Sequence, residues 1–356
     1  MRVLPLRIIE NIFSFLLIIS CATIYAHSTG NLKTLINAGI FIVIILLSCV
    51  SFYLLSQQHQ LTYKIVLLWI AYFLLFLIPF SILNNLNYPM GSFFVLQFSV
   101  LPGLVFYFYF CRTIGNPWSI MQKIDRLIYL IAIFSLLFWF LFSILKIVAP
   151  TGTVTTDWGP LRLIPSFYGV YFETQPVSIY GIATIRNTAF FTEGPMYAFV
   201  LSVGLTSRIF LLDKTIKSSL LLMVTMITTM TSTAIIVIIL TLFFSYLKTS
   251  RSQSINALKQ LMLPFFSVIL LSVFVFILEQ KTQGGESFGV RMDDVHSAIK
   301  SWAQHPIIGN GIGNFQSLIS NMNSVRIQFK TPIEIGFSSG LFQVFALGGI
   351  ALTTIY

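Results

Sequence analysis

The chain is short of charge. Only 9% of its 356 residues are Asp, Glu, Lys or Arg, against about 25% in a soluble domain, and that shortage excludes an ordinary soluble fold. Three cysteines are too few for a disulfide scaffold, and 21 Gly and 13 Pro are too few for a collagen-like or Pro/Gly-rich disordered chain. Cys21, Cys49 and Cys111 lie in or beside apolar runs and read as small core hydrophobes. The four histidines, His27, His59, His296 and His305, form no metal-ligand spacing with carboxylates or cysteines, so neither a metal nor a cofactor is expected. Acidic residues number eleven, and none lies near the middle of an apolar run. Ion-coupled transporters place ionisable groups at the bilayer midplane, so this absence weakens a transporter reading.

What the chain has is apolar length: 56% of it is hydrophobic and its mean hydropathy is +0.87. Runs close to the 20 or so residues that cross a bilayer fall at 8–26, 35–55, 65–83, 91–111, 127–149, 191–211, 219–247, 261–278 and 337–356. The first follows Arg2 and Arg7 and carries a lipobox-like Ser20-Cys21, but Glu10 and the spans behind it favour an uncleaved helix over a signal peptide. The last stops at Tyr356 without a polar tail, as in a truncated product or a chain ending at the membrane surface. Basic residues mark cytoplasmic loops. Arg2, Arg7, Lys64, Arg112, Lys123, Arg126, Lys214 and Lys217 fall on one side when the spans alternate, against Lys33 alone in the short loops of the other. The net charge of +10 therefore encodes orientation, with the N-terminus inside, and calls for no nucleic-acid partner.

The run 219–247 would make a helix of about 43 Å, beyond a hydrocarbon core of about 30 Å. Two short legs breaking near Thr228–Thr233 keep the flanking basic clusters on one side. The expected fold is thus an all-α polytopic membrane protein of about ten transmembrane helices with two large outward loops. Its divisions are N-terminal helices over 1–149, a first loop over 150–190, helices over 191–278, a second loop over 279–335 and a last helix over 336–356.

Long loops on a compact membrane bundle are usually functional, and these two carry cations. Arg162 and Arg186 lie in the first; Lys281, Arg291, Lys300, Arg326 and Lys330 lie in the second. Arginine forks hold phosphate oxygens bidentately, so Arg162, Arg186, Arg291 and Lys300 are candidate substrate contacts; the alternative is snorkelling to headgroups. Arg186 sits seven residues before Glu193. Glu193 either caps the following helix or works with Arg186 to orient a phosphate and a sugar hydroxyl. Met292, Val295, Ile299 and Trp302 recur at helical spacing, so 291–304 reads as an amphipathic surface helix with Arg291 and His305 about 21 Å apart. Gly309, Gly311 and Gly313 read as a tight loop more than as a phosphate nest, and His305 before Pro306 as a packed turn residue more than as a base.

Three stretches, RNTAFFTEGPMYAF at 186–199, TSTA at 231–234 and HPIIGNGIGNF at 305–315, make residues 180–356 resemble the O-antigen polymerase and O-antigen ligase superfamily of bacterial glycan assembly. The Glu193-Gly194-Pro195 sequence has a glycine inserted relative to the family's Glu-Pro. The resemblance implies a C-type glycosyltransferase-like enzyme of the bacterial inner (plasma) membrane, acting at the outer face on undecaprenyl-diphosphate-linked glycan without nucleotide sugar or metal. Membrane lipids, a chain-length regulator and a flippase would be its partners. Arg186 and Arg291 match the family arginines and would hold the diphosphate, with Glu193 and His305 as weaker catalytic candidates. Ligases of the family place a His-Asn pair where this chain has Phe337, Ser338 and Ser339, which favours a repeat-unit polymerase over a ligase, with a non-enzymatic transporter or flippase as a further alternative. A reporter fused near residue 250 should register as cytoplasmic; a periplasmic signal there would overturn the two-legged arrangement of 219–247.

Overall fold

The computed structural model describes residues 4–28, 32–58, 63–84, 104–156, 162–179, 182–248, 286–328, 336–337 and 339–355, with isolated positions between 263 and 279. In chain order the helices begin with α1 (Leu4–Ser20), α2 (Ile24–His27), α3 (Leu32–Gln57), α4 (Tyr63–Leu83), α5 (104–113) and α6 (Ser119–Ile144). Five short strands follow: β1 (Gly152–Thr156), β2 (Arg162–Phe167), β3 (Tyr171–Phe172), β4 (Pro176–Ile179) and β5 (Ile182–Ile185). Then come α7 (Gly194–Leu211), α8 (Ile216–Thr228), α9 (Ser232–Lys248), α10 (Glu286–Gln304), α11 (Gln316–Ile319), α12 (Ser324–Gln328) and α13 (Gly340–Thr353). The chain is mostly helical, and α3, α4, α6 and α7 are long and apolar enough to cross a membrane.

Where the sequence suggested a loop over 150–190, two small antiparallel sheets stand instead, ordered β1-β2-β3 and β4-β5. Thr, Val and Ile on β1 and β2 pair from Gly152 opposite Ser166 to Thr156 opposite Arg162, the β-branched chemistry that suits a pleated surface. The long apolar run 219–247 does break, after Thr228 and before Ser232, giving legs of 13 and 17 residues. Lys281, Lys330, Arg251 and Lys259 lie outside the described residues, as does most of the apolar run 261–278.

Two compact units result. The first comprises Met1–Val43 and Ile114–Ile277, the second Ile44–Thr113 and Leu278–Tyr356. In the first, α6 is the spine. Ser119 donates to the buried Glu10 carboxylate of α1 at 2.7 Å, and Gly204 of α7 lets that helix approach so closely that a Cβ there would lie 2.8 Å from Ile128, a small-residue contact of the kind that packs membrane helices. Phe134, Phe138, Phe142 and Phe167 stack in file from α6 onto β2. Both α6 and α7 end in π turns, Trp139–Ile144 and Ser207–Leu211. The second turn carries Arg208, hidden in the sequence at the end of an apolar run. Arg208 Nη1 meets both oxygens of Asp125, at 3.0 and 3.2 Å, and its guanidinium lies 4.3 Å over the Tyr129 ring. Lys214 takes the same carboxylate.

In the second unit, α13 is broken at Gly349, whose φ is +63°, and the Gly-rich stretch fills the break. Asn310 and Gly311 donate backbone N–H groups to Ala346 and Leu347, while Ile350 and Ala351 donate to Pro306 and Ile307. Gly309 is obligatory, because a Cβ would fall 2.3 Å from the Leu347 carbonyl oxygen. The buried Asn84 side chain donates to the Ile308 and Leu347 carbonyls and accepts from Ile312 N–H. With these N–H groups spent, the glycine run serves close packing and is no phosphate nest in this conformation.

The buried charges give a direct test. Asp125→Asn strands Arg208, which is 8% exposed, and losing one partner of a buried ion pair costs about 3–5 kcal/mol. Melting in detergent should drop sharply for Asp125→Asn and recover in large part for Asp125→Asn/Arg208→Gln; an unchanged melting temperature in the single variant would remove the pair from the stabilising contacts.

Candidate functional site

The segment that leaves β5 and re-enters as α7 meets the tip between α8 and α9. Asn187 builds that junction. Its backbone N–H donates to the Thr228 carbonyl at 3.0 Å, and its Nδ2 donates to Thr228 Oγ1 at 3.1 Å and to Ser135 Oγ at 3.4 Å. Gly194 then packs under the tip: a Cβ there would sit 3.0 Å from the Thr229 carbonyl and 3.3 Å from Arg186 Cδ. The glycine inserted between Glu193 and Pro195 is thus where two turns touch.

Arg186 projects from this junction, half-buried. Its Nη1 reaches Gln175 Oε1 at 3.4 Å, and the same oxygen accepts Gly194 N–H at 3.0 Å. Its Nε is enclosed and finds no hydrogen-bond partner among the described residues. Burial pushes the guanidinium pKa down, and the nearby Glu193 carboxylate pushes it back up. Glu193 occupies the N-cap position of α7, yet its side chain caps nothing; Gln175 has taken the helix's first N–H. The Glu193 side chain thus leaves the capping role unfilled, and its charge acts on Arg186.

Arg162 spends its guanidinium differently. Nη1 and Nη2 donate to the carbonyls of Thr174 and Thr192, each at 3.3 Å, which braces the residues flanking Gln175 and Glu193. Arg162, Arg186 and Glu193 therefore surround one junction, with Arg162 as its strut. The remaining candidates belong to the second unit. Arg291 and Lys300 lie exposed on α10, and His305 is exposed just past its end. The buried stripe of α10 is Asp294, Ser297, Ala298 and Ser301; of the apolar stripe expected from spacing, Met292 and Ile299 are exposed, while Val295 is partly buried and Trp302 stacks on Phe345. Arg326, counted among the cations of the second loop, is occupied by Asp293 and Asp294 at 3.1 and 2.6 Å and by the Gly336 carbonyl.

Beside the Arg186 junction, an apolar cavity of about 690 Å³ opens between α1, the start of α3 and α6. Phe15, Ile19, Ile36, Phe134, Phe138 and Phe190 line it, and Ser135 and Tyr171 supply its polar edge. Ser135 Oγ meets Tyr197 Oη at 2.6 Å, and Ser143, in the π turn of α6, bonds Tyr171 Oη and Glu173 Oε1, each at 2.9 Å. Burial raises both the Tyr171 and the Glu173 pKa, against the opposing Ser143 hydrogen bond and, for Glu173, the Lys146 charge. Gln175, Asn187 and Glu173 escaped the sequence reading because a single amide or carboxylate in a polar interval carries no spacing signal. No group of three or more potential metal ligands occurs among the described residues. No family model, curated protein or solved structure matches the chain.

Glu173 makes the junction's stability depend on pH. Its folded pKa is raised, so its contribution is full below about pH 4.5, its ordinary value, and is lost as pH rises through the higher folded value. Between about pH 4 and pH 8 the melting temperature of Glu173→Gln should fall less than that of the unaltered protein; parallel profiles would show that this carboxyl is not strained by burial.

Proposed function

We propose that the protein is a polymerase of undecaprenyl-diphosphate-linked oligosaccharide repeat units, acting at the outer face of a bacterial inner membrane. The observation that carries this reading is Arg186: a half-buried guanidinium with an unengaged Nε, held where a chain re-entry meets a helical tip, next to Asn187, which bonds Ser135 at the polar edge of an apolar cavity. A fixed cation beside an apolar slot suits a ligand that is a diphosphate at one end and a polyisoprenyl chain at the other.

In the proposed reaction the bond between the sugar's anomeric carbon and the diphosphate oxygen breaks, and a bond to a hydroxyl of the next repeat unit forms. The hydroxyl loses its proton, and undecaprenyl diphosphate leaves with the bonding electrons. Arg186 would offset the charge growing on that leaving group, the kind of preorganised stabilisation worth about 10²–10³ in rate. Glu193, beside it, is the carboxylate available to orient the acceptor. Arg162 acts through the backbone it braces, and is a positioning residue. Arg291, Lys300 and His305 lie on or just beyond α10 in the second unit, and their part in the reaction rests on the sequence resemblance alone. Delivery by a flippase and a chain-length partner completes the scheme, and no metal is required by it.

In a deletion strain carrying plasmid copies, Arg186→Ala and Arg291→Ala should each remove long glycan chains and leave a single repeat attached, with the protein still in the membrane. Arg186→Lys should also be impaired, because a point charge cannot copy the fork. Normal chain length in either Ala variant would take that arginine out of the site, and accumulation of long lipid-linked chains would redirect the reading to a ligase.

A further inference from the structure

The polar groups at the other end of α6 and α7 are not used by the proposed reaction. Asp125 lies 18 residues before Ser143, about 27 Å along a helix, which is close to the thickness of a hydrocarbon core of about 30 Å. A second recess opens there, of about 400 Å³, lined by Trp118, Gln122, Arg126, Leu211, Asp213 and Lys214. It lies wholly in the first unit.

The charges around this recess do not balance. Asp125 is shared by Arg208 and Lys214, and the exposed Asp213 is matched by Lys248 at 2.6 Å. Arg126 has no ion-pair partner among the described residues. Of the groups that line the recess, Arg126 and Lys214 are cations and Asp213 is a carboxylate already matched by Lys248, so a positive charge is left over at Arg126. Such an excess beside a cavity attracts an anion, and basic recesses between membrane helices take phospholipid headgroups.

The helix above the recess says which anion. From Arg126, positions Leu130, Ile133, Leu137 and Phe140 follow at steps of four, three, four and three, and all four are exposed, at 50%, 40%, 48% and 49%. Helical geometry puts them in one line along α6, running from the cationic recess into the apolar span. Trp118, 44% exposed at the helix entrance, sits where aromatic side chains mark headgroup depth. A free phosphate would use the cations and ignore this line; a lipid uses both.

We propose that the recess binds the phosphate of an anionic phospholipid through Arg126 and Lys214, with Gln122 as a neutral donor and the acyl chains laid along Leu130, Ile133, Leu137 and Phe140. The headgroup site is separate from the Arg186 junction, and the acyl track meets the cavity assigned to the polyisoprenyl chain at Leu130, which lines both.

Native mass spectrometry of the full chain in neutral detergent, with dioleoyl phosphatidylglycerol, dioleoyl phosphatidylcholine or sodium phosphate added separately, tests this. The unaltered protein should retain phosphatidylglycerol over phosphatidylcholine, and Arg126→Gln and Lys214→Gln should each weaken that retention about fivefold, as expected for loss of one charge near a headgroup. Arg126 is exposed, and Lys214→Gln leaves Asp125 paired with Arg208, so both variants keep the buried pair. Lys217→Gln, at the second residue of α8 and outside the recess, should retain lipid as the unaltered protein does. Equal retention of the two lipids, unaltered retention in Arg126→Gln, or an equal loss in Lys217→Gln would overturn the site. Displacement of phosphatidylglycerol by millimolar phosphate would reassign the recess to a free anion.

Discussion

A backbone group that loses its helical partner in apolar surroundings has no water to turn to, and leaving it bare costs several kcal/mol. In this protein that constraint is met by amide side chains at three points where a helix starts, stops or breaks. Asn187 closes onto Thr228 at the end of α8, Gln175 takes the first N–H of α7, and Asn84 and Asn310 serve the broken α13. An amide offers two donors and an acceptor without carrying charge, so it can bridge several backbone groups at low desolvation cost. The re-entry at Asn187 and the dovetail at Asn310 exist because these residues stand where they do.

Charge is handled by the complementary rule. Asp125 is fully buried, and it is tolerable only because two cations share it. The π turns make room for both ends of this arrangement. Widening α7 at Ser207–Leu211 brings Arg208 to Asp125, and widening α6 at Trp139–Ile144 presents Ser143 to Tyr171 and Glu173. One helix therefore carries a polar cluster near each of its ends, and its length rather than its composition sets their separation.

Much of the helical frame was legible in the sequence, because hydrophobic length is a strong signal: α3, α4, α6 and α7 coincide with apolar runs, and the break after Thr228 was readable from excess length and a threonine cluster. Helix α6 starts eight residues earlier than its apolar run, since Gln122, Lys123, Asp125 and Arg126 sit on a continuing helix whose polar end is paired or solvated. The sheets over 150–190 were not legible, because strands of two to six residues interrupted by polar turns resemble a loop in composition. Of the candidate residues, Glu193 lies near enough for its charge to act on Arg186, and no ion pair joins the two among the described residues. The tasks of Arg162 and Arg326 could not be read, because a carbonyl ligand and a sequence-distant carboxylate leave no mark near either arginine. Arg208 was hidden by its apolar neighbours, and the glycines of 309–313 pointed to a turn without revealing the helix they fit against.

That fit has a consequence for how the polypeptide is made. Residues 306–311 leave the ribosome some forty residues before 346–351, and four backbone hydrogen bonds join the two stretches. Until the later stretch emerges, the N–H groups of Asn310 and Gly311 and the carbonyls of Pro306 and Ile307 lack the partners they have in the fold. The 306–311 stretch can therefore lock only after α13 has been made, and chain order itself imposes the order in which these two parts close.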